Sequence, residues 1–344
     1  MPPDAAADTP IRDALDVALA PIDEQLAAGE DVAMNKPGEG WWLLDGAWRR
    51  FEAPKMTNAR LRGIATLAIA PKRPADRQAI VSTHIPRGHR LEALTDPATE
   101  PGTTALCFRR SEETVSPVEE VNTRFNTERW NQWRTRKERL RATSEELLAS
   151  YRSGDLEGFL RLCARRRRTP LICAPTGAGK TYLNKTYMQL LDEDARVLML
   201  EDAKEAVLRQ PNHLRLFFQK FGISPTALLQ AALRLRPTFV AVQELRDPEV
   251  AYLYLNEGMA GHPGSPTTIH GRTPGEAARR LVNMILSSPA GKNMKVDTLI
   301  DMLTTAVDVI IPIENDRGAR SIREVWFADE AAEHGETFAD LLKD

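Results

Sequence analysis

From Ile11 to Ala28 apolar residues recur at helical spacing, and Pro21, which has no N–H for the helical ladder, predicts a break inside the stretch. "WWLLDGAWRRFE" holds two apolar runs around Asp45-Gly46, a pair that favours the left-handed backbone of a tight turn, and predicts a β-hairpin. "TNARLRGIATLAIA" returns to helical spacing with Thr57 or Asn58 as its cap. "RQAIVSTHIPRGHRLEALTD" predicts a second hairpin around Pro86–Gly88, and "TTALCFRR" one further strand. These elements predict a small α+β domain over residues 1–110.

Between Ser111 and Arg168 basic residues exceed acidic ones, most densely in "RWNQWRTRKERLR". "SEELLASYRSG" and "DLEGFLRLCARRRR" are helical by spacing, so the region reads as a basic linker (111–150) leading into the first helices of a second domain (151–344). The arginine run Arg165–Arg168 reads as a charged helix end, with an acidic partner or anionic lipid as the other use. After Thr169 short apolar runs alternate with helical patterns: "RVLMLED", "TALLQAALRLR", "TFVAVQE", a helix from Pro248, "TTIH" and "GEAARRLVNMIL". That order predicts an α/β domain, a mostly parallel sheet with helices on both faces. Leu299 to Ile313 is interrupted by Asp301 and Asp308, which fits a helix followed by a buried strand better than a membrane span. "VDVIIPIENDRGARSIREVWFAD" predicts an antiparallel hairpin turning at Asp316–Gly318.

Composition narrows the class. The 344 residues suffice for two domains with their own cores, and a formal net charge of −2 steers the whole chain to neither nucleic acid nor membrane. Cys107, Cys163 and Cys173 have neither metal nor disulfide spacing and read as reduced thiols. "MPPDAAADTP" carries no basic-then-apolar leader, so the expectation is a soluble intracellular protein, with peripheral membrane contact left open.

"APTGAGKT" sits between an apolar run and a helical pattern. Gly179, Lys180 and Thr181 fit a phosphate-binding loop, while Ala174 replaces the first glycine of that pattern. Such a loop, Pro175, Thr176, Gly177, Ala178 and Gly179, wraps the backbone N–H groups of its last four residues around phosphate oxygens, backed by a helix N-terminus. Lys180 would reach the β/γ-phosphates, from a side chain expected to be exposed without nucleotide, and the Thr181 hydroxyl would hold Mg²⁺. "VLMLED" ends in Glu201-Asp202, with Glu205 just beyond, at the edge where open α/β sheets bind ligands. "RPTFVAVQELR" is a second apolar strand ending in an acid, Glu244, suited to holding Mg²⁺ through water or polarising the attacking water. "GHPGSPTTIHG" places His270 after a Ser/Thr-rich strand, where it could sense the γ-phosphate.

With "APTGAGKT", "EDAKE", "RPTFVAVQELR" and "GHPGSPTTIH" in this order, the chain resembles the type IV secretion traffic ATPases, within the wider type II/type IV secretion and pilus ATPases. "WWLLDGAW" and "HIPRGHRLEALTDPATEPGTTALCFRR" extend the resemblance into the N-terminal half. Ala174 and Gln243 depart from it, each standing where the family usually has Gly, and neither change removes a reactive group. The resemblance implies a RecA-like ATPase domain behind a smaller N-terminal domain, assembled as a cytosolic homo-hexamer at the inner membrane. It implies ATP and Mg²⁺ as ligands, other type IV secretion components as partners, and a transported protein or DNA substrate. By position it implies Lys180 and Thr181 on phosphates and Mg²⁺, Glu201 and His262 in the nucleotide-binding motifs, and Glu205 as the water-activating base. Glu244 would belong to the metal site, His270 to the His box, and Arg109, or its neighbour Arg110, would reach the γ-phosphate.

Two other readings stay open. Pilus assembly or retraction motors share these motifs, although the four-cysteine zinc insert of some relatives cannot exist in a chain with no cysteine after Cys173. Trp130 and Trp133, set among Arg129, Arg134, Arg136, Lys137 and Arg139, could stack on single-stranded nucleic acid or pack a basic helix on a neighbouring domain or subunit.

Overall fold

Pro21 ends the first helix where its missing N–H requires. α1 (Thr9–Leu19) gives way to a 3-10 turn over Ala20–Ile22 before α2 (Asp23–Ala28). The computed structural model describes residues 9–69, 79–85, 88–111, 117–120, 123, 127–128, 136–218, 222–259 and 261–343. β1 (Asp31–Lys36) follows, then β2 (Gly38–Leu44) and β3 (Ala47–Ala53), joined by Asp45 and Gly46 at φ 51° and 74°. The sequence pattern misses β1, because "DVAMNK" is buried at five of its six positions and so shows no alternation. α3 (Asn58–Ile69) is capped by Thr57, whose hydroxyl accepts from Arg60 N at 3.3 Å. β4 (Ile80–Ile85), β5 (His89–Thr95) and β6 (Thr104–Arg110) complete an antiparallel sheet in the order β3-β2-β1-β6-β5-β4.

The central strands β1 and β6 of this sheet are buried on both faces. Val32, Met34, Leu106 and Phe108 point to one side, where they pack with Leu15 and Leu19 of α1 and Leu61 and Ile64 of α3. The alternate residues Ala33, Ala105 and Cys107 point to the other side and share a core with Leu214, Leu228 and Leu235 of the second domain. The two domains therefore do not close their cores independently.

Trp130 and Trp133, with Arg129 and Arg134, lie outside the described residues, as do the side chains of Arg136, Lys137 and Arg139. The second domain begins with α4 (Arg136–Ser153) and α5 (Leu156–Arg165), the latter capped by Asp155 accepting from Gly158 N at 3.0 Å. The arginine run closing α5 is committed to the fold. Arg165 and Arg166 pair with Glu146, Arg167 lies over the Phe239 ring, and Arg168 bridges Asp308 and Asp329 in the interior.

The chain then continues through β7 (Pro170–Cys173), α6 (Lys180–Met188), β8 (Val197–Glu201), β9 (His213–Phe217), α7 (Pro225–Arg234) and β10 (Phe239–Val242). α8 (Pro248–Leu253), β11 (Thr267–Ile269), α9 (Pro274–Leu286), α10 (Val296–Ala306), β12 (Val309–Asp316), β13 (Ala319–Ile322), β14 (Trp326–Phe327) and α11 (Ala328–Glu333) follow. The sheet order is β13-β12-β7-β11-β10-β8-β9, parallel from β12 to β9, with β13 and β14 antiparallel to β12. Alternate residues of β7 and β8 feed opposite faces: Leu171 and Leu198 meet α7 to α10, while Ile172 and Val197 meet α5 and α6. β9 is absent from the sequence reading. The predicted hairpin at Asp316–Gly318 is present, and its first strand also joins the main sheet beside β7.

A buried arginine joins the domains. Arg196, 1% exposed, donates to Asn35 Oδ1 at 2.8 Å, Asn212 Oδ1 at 2.6 Å and Leu235 O at 2.8 Å, and its guanidinium lies over Trp48. Phe217 N to Ala98 O and Arg234 Nη1 to Ser82 Oγ add two further links.

Candidate nucleotide site

Parallel strands bring their C-terminal ends to one edge, and the loops leaving β7, β8, β10 and β11 meet there. Residues 174–179 turn from buried β7 into α6 with Gly177 at φ 78° and Gly179 at φ 117°, values that a Cβ disfavours. Pro175, Thr176 and Gly177 are exposed, Gly179 and Thr181 are half-buried, and no acidic side chain occupies the first turn of α6. That helix end therefore presents N–H groups and partial positive charge to an anion. Ala174 and Ala178 are fully buried and pack with Ile172 and Leu183, so the methyl of Ala174 fills core space without obstructing the loop.

Lys180 departs from expectation: it is 8% exposed. Its ammonium folds back under the loop, donating to Ala174 O at 2.8 Å and Pro175 O at 3.3 Å, with His270 Nδ1 at 3.3 Å. These two loop carbonyls are the acceptors that hold it inward. Burial lowers its pKa, and the Glu244 carboxylate works against that shift.

His270 continues the chain of charge. Its Nε2 lies 2.7 Å from Glu244 Oε1, and burial is the main reason its pKa falls below the usual histidine value. Glu244 Oε2 accepts from Arg246 Nη2 at 2.7 Å, while Nη1 of that arginine reaches Asp202 Oδ2 at 3.3 Å. Both Glu244 oxygens are thus engaged, Oε1 by His270 and Oε2 by Arg246. Among the described residues no three His, Cys, Asp or Glu side chains form a metal cage. Mg²⁺ held by Thr181, the Glu244 side and substrate phosphates needs none. Sequence reading did not assign Arg246. Its signal was a cation two residues beyond an acid at a strand end.

Glu201 is fully buried at the end of β8, and its Oε2 accepts from the backbone N–H groups of Glu205 at 3.0 Å and Ala206 at 2.9 Å. Its carboxylate is thereby turned onto the loop that presents exposed Glu205. Gln243 accepts from Asp202 N at 3.2 Å through its side-chain oxygen and braces the same loop.

Two predicted site residues stand elsewhere. His262 precedes β11 while His270 follows it, so the strand separates them across the sheet; His262 is held at the N-terminal edge by the backbone of Pro237 and Thr238. Arg109 faces Asp31 across the β1–β6 pair. The buried Asp31 carboxyl, raised in pKa by desolvation, also lies 3.5 Å from Arg236, which precedes β10 and so marks that same distant edge. Arg110 donates to Ala27 O at 2.9 Å at the end of α2. Beside the phosphate loop a cleft of about 700 Å³ is lined by Pro175, His270, Arg272, Arg279 and Arg280, a basic flank facing the same edge.

Residues 135–315 match the family model of type II/IV secretion system proteins. The VirB11 protein of Agrobacterium fabrum is 40% identical over 337 residues, covering 95% of this chain and 97% of its own. The chain belongs to this family. VirB11 of Rhizobium radiobacter is 39% identical over 91% of this chain and 93% of its own. The crystal structure of the VirB11 ATPase from the Brucella suis type IV secretion system, in complex with sulphate, superposes with a TM-score of 0.86 at 28% identity, covering 95% of this chain and 99% of that one. The chain is thus a type IV secretion traffic ATPase by family, with that fold. Among the described residues no helix is long and apolar enough to cross a membrane.

Proposed function

We propose that this chain hydrolyses Mg²⁺-bound ATP in a homo-hexameric ring and so powers type IV secretion. The observation that carries the reading is the continuous line Lys180–His270–Glu244–Arg246 along the edge where the phosphate loop opens. Backbone N–H groups of residues 176–179 and the α6 N-terminus bind the phosphates, and Lys180 leaves its carbonyl partners for the β/γ oxygens. Mg²⁺, when bound, neutralises charge developing on the β- and γ-phosphates. Thr181 and Glu244 would hold it, and Glu205 or Glu244 takes the proton of the attacking water. His270 links the γ-phosphate end to Glu244 and changes partners when Lys180 moves.

Arg109 stands at the opposite edge from its own phosphate loop, so it serves a neighbouring copy in the ring. The relatives' role in type IV secretion supports placing the ring in the cytoplasm, peripheral to the inner membrane beside other secretion components, acting on a protein or DNA substrate. The test is ATP turnover by purified protein and by Lys180→Ala. The variant is expected to lose nearly all activity, and unchanged turnover would sink the reading.

A further inference from the structure

β12 pairs with β7 only as far as Pro312 opposite Cys173, and then runs on to Asp316 in a hairpin with β13. Four further residues at about 3.3 Å each carry that hairpin past the sheet edge, alongside the phosphate loop. Arg320 lies on β13, exposed, and a Cβ placed on Gly179 would meet its Cδ at 3.5 Å and its Nε at 3.7 Å. Among the described residues its guanidinium has no ion-pair partner. An unpaired cation thus hangs over the glycine of an anion-binding loop. Tyr182, directly after Thr181, is 72% exposed on the first turn of the same helix.

The strand order decides which end of a nucleotide these residues meet. β11 and β10, which deliver His270 and Glu244, lie on one side of β7, and β12 with β13 lies on the other. A triphosphate whose γ-phosphate faces His270 and Glu244 therefore extends its nucleoside end toward the β12–β13 hairpin. Resting on the nucleotide-site reading above, we infer that Arg320 is a specificity-determining residue whose planar guanidinium stacks on the nucleobase, with Tyr182 adding aromatic surface beside it. Arginine suits this position because its flat, weakly hydrated head packs on π-faces, which an ammonium cannot copy.

The test is equilibrium binding of ATP, ADP and inorganic tripolyphosphate, by calorimetry, to unmodified protein, Arg320→Ala and Arg320→Lys. Arg320→Ala is expected to weaken ATP and ADP about tenfold and tripolyphosphate less than twofold. Arg320→Lys is expected to resemble the alanine variant, and in turnover the change should fall on KM far more than on kcat. Unchanged nucleotide affinity, an equal loss for tripolyphosphate, or recovery by lysine each overturns the assignment while leaving the ATPase reading intact. Failure of the unmodified protein to bind ATP overturns that reading, and the inference with it.

Discussion

Glu92 lies behind the joint between the domains. Its Oε2 accepts from Ser82 Oγ at 2.6 Å, Ser82 Oγ in turn accepts from Arg234 of the second domain, and its Oε1 is buried without a partner. Burial raises the Glu92 pKa from 4.5 to about 7, with the Ser82 hydrogen bond and Arg234 offsetting part of that. The folded state therefore holds its proton over a range in which the unfolded chain has lost it. Below pH 4.5 both states are protonated and the burial carries no electrostatic penalty. As pH rises through the interval the penalty grows, and above about 7 it is fully in force. At about 1.4 kcal/mol per pH unit the difference amounts to roughly 3 kcal/mol of lost stability at pH 8. Glu92→Gln keeps the shape and an acceptor for Ser82 without the charge. Urea unfolding at pH 5 should find the variant and the original chain nearly equal, whereas at pH 8 the variant should be more stable by a few kcal/mol. Equal stability differences at both pH values would refute the argument, because they would mean that Glu92 is ionised and solvated in the folded protein.

Glu205→Gln and Glu244→Gln are expected to bind ATP, with the variant that loses the general base slower by about 10²–10⁴-fold; single-turnover hydrolysis identifies which one. Loss confined to Glu244→Gln removes Glu205 as the base. Mixing two inactive variants, Lys180→Ala and Arg109→Ala, should restore partial ATPase activity, because some sites then combine an intact phosphate loop with Arg109 of a neighbour. No recovery in mixed rings that demonstrably form counts against a site shared between copies. Arg168→Met strands the buried carboxylates of Asp308 and Asp329 and should cost about 3–5 kcal/mol in thermal or urea unfolding. A loss below 1 kcal/mol would mean that water reaches the cluster.

What the sequence determined by itself was local and periodic. Pro21 placed a helix break, Asp45-Gly46 a hairpin turn, and the alternation after Thr169 a parallel sheet, because each follows from backbone chemistry within a few residues. Parallel strands also put the loops that follow them on one edge, so Lys180, Glu244 and His270 could be gathered from motif order alone. β1 was not legible, since a strand buried on both faces loses the alternation that marks a strand, and what covers the second face comes from elsewhere in the chain; β9 keeps its alternation in "HLRLF" but is only five residues long. Only the tertiary structure separated Glu201, turned onto its own loop, from Glu205 beside it, and His262 from His270 at the other end of the strand between them. It also drew Lys180 inward, moved Arg109 to the far edge, and stood Arg320 over Gly179, 141 residues earlier in the chain. Such placements depend on which strand lies beside which, and strand order is settled by packing between distant segments that no local pattern encodes.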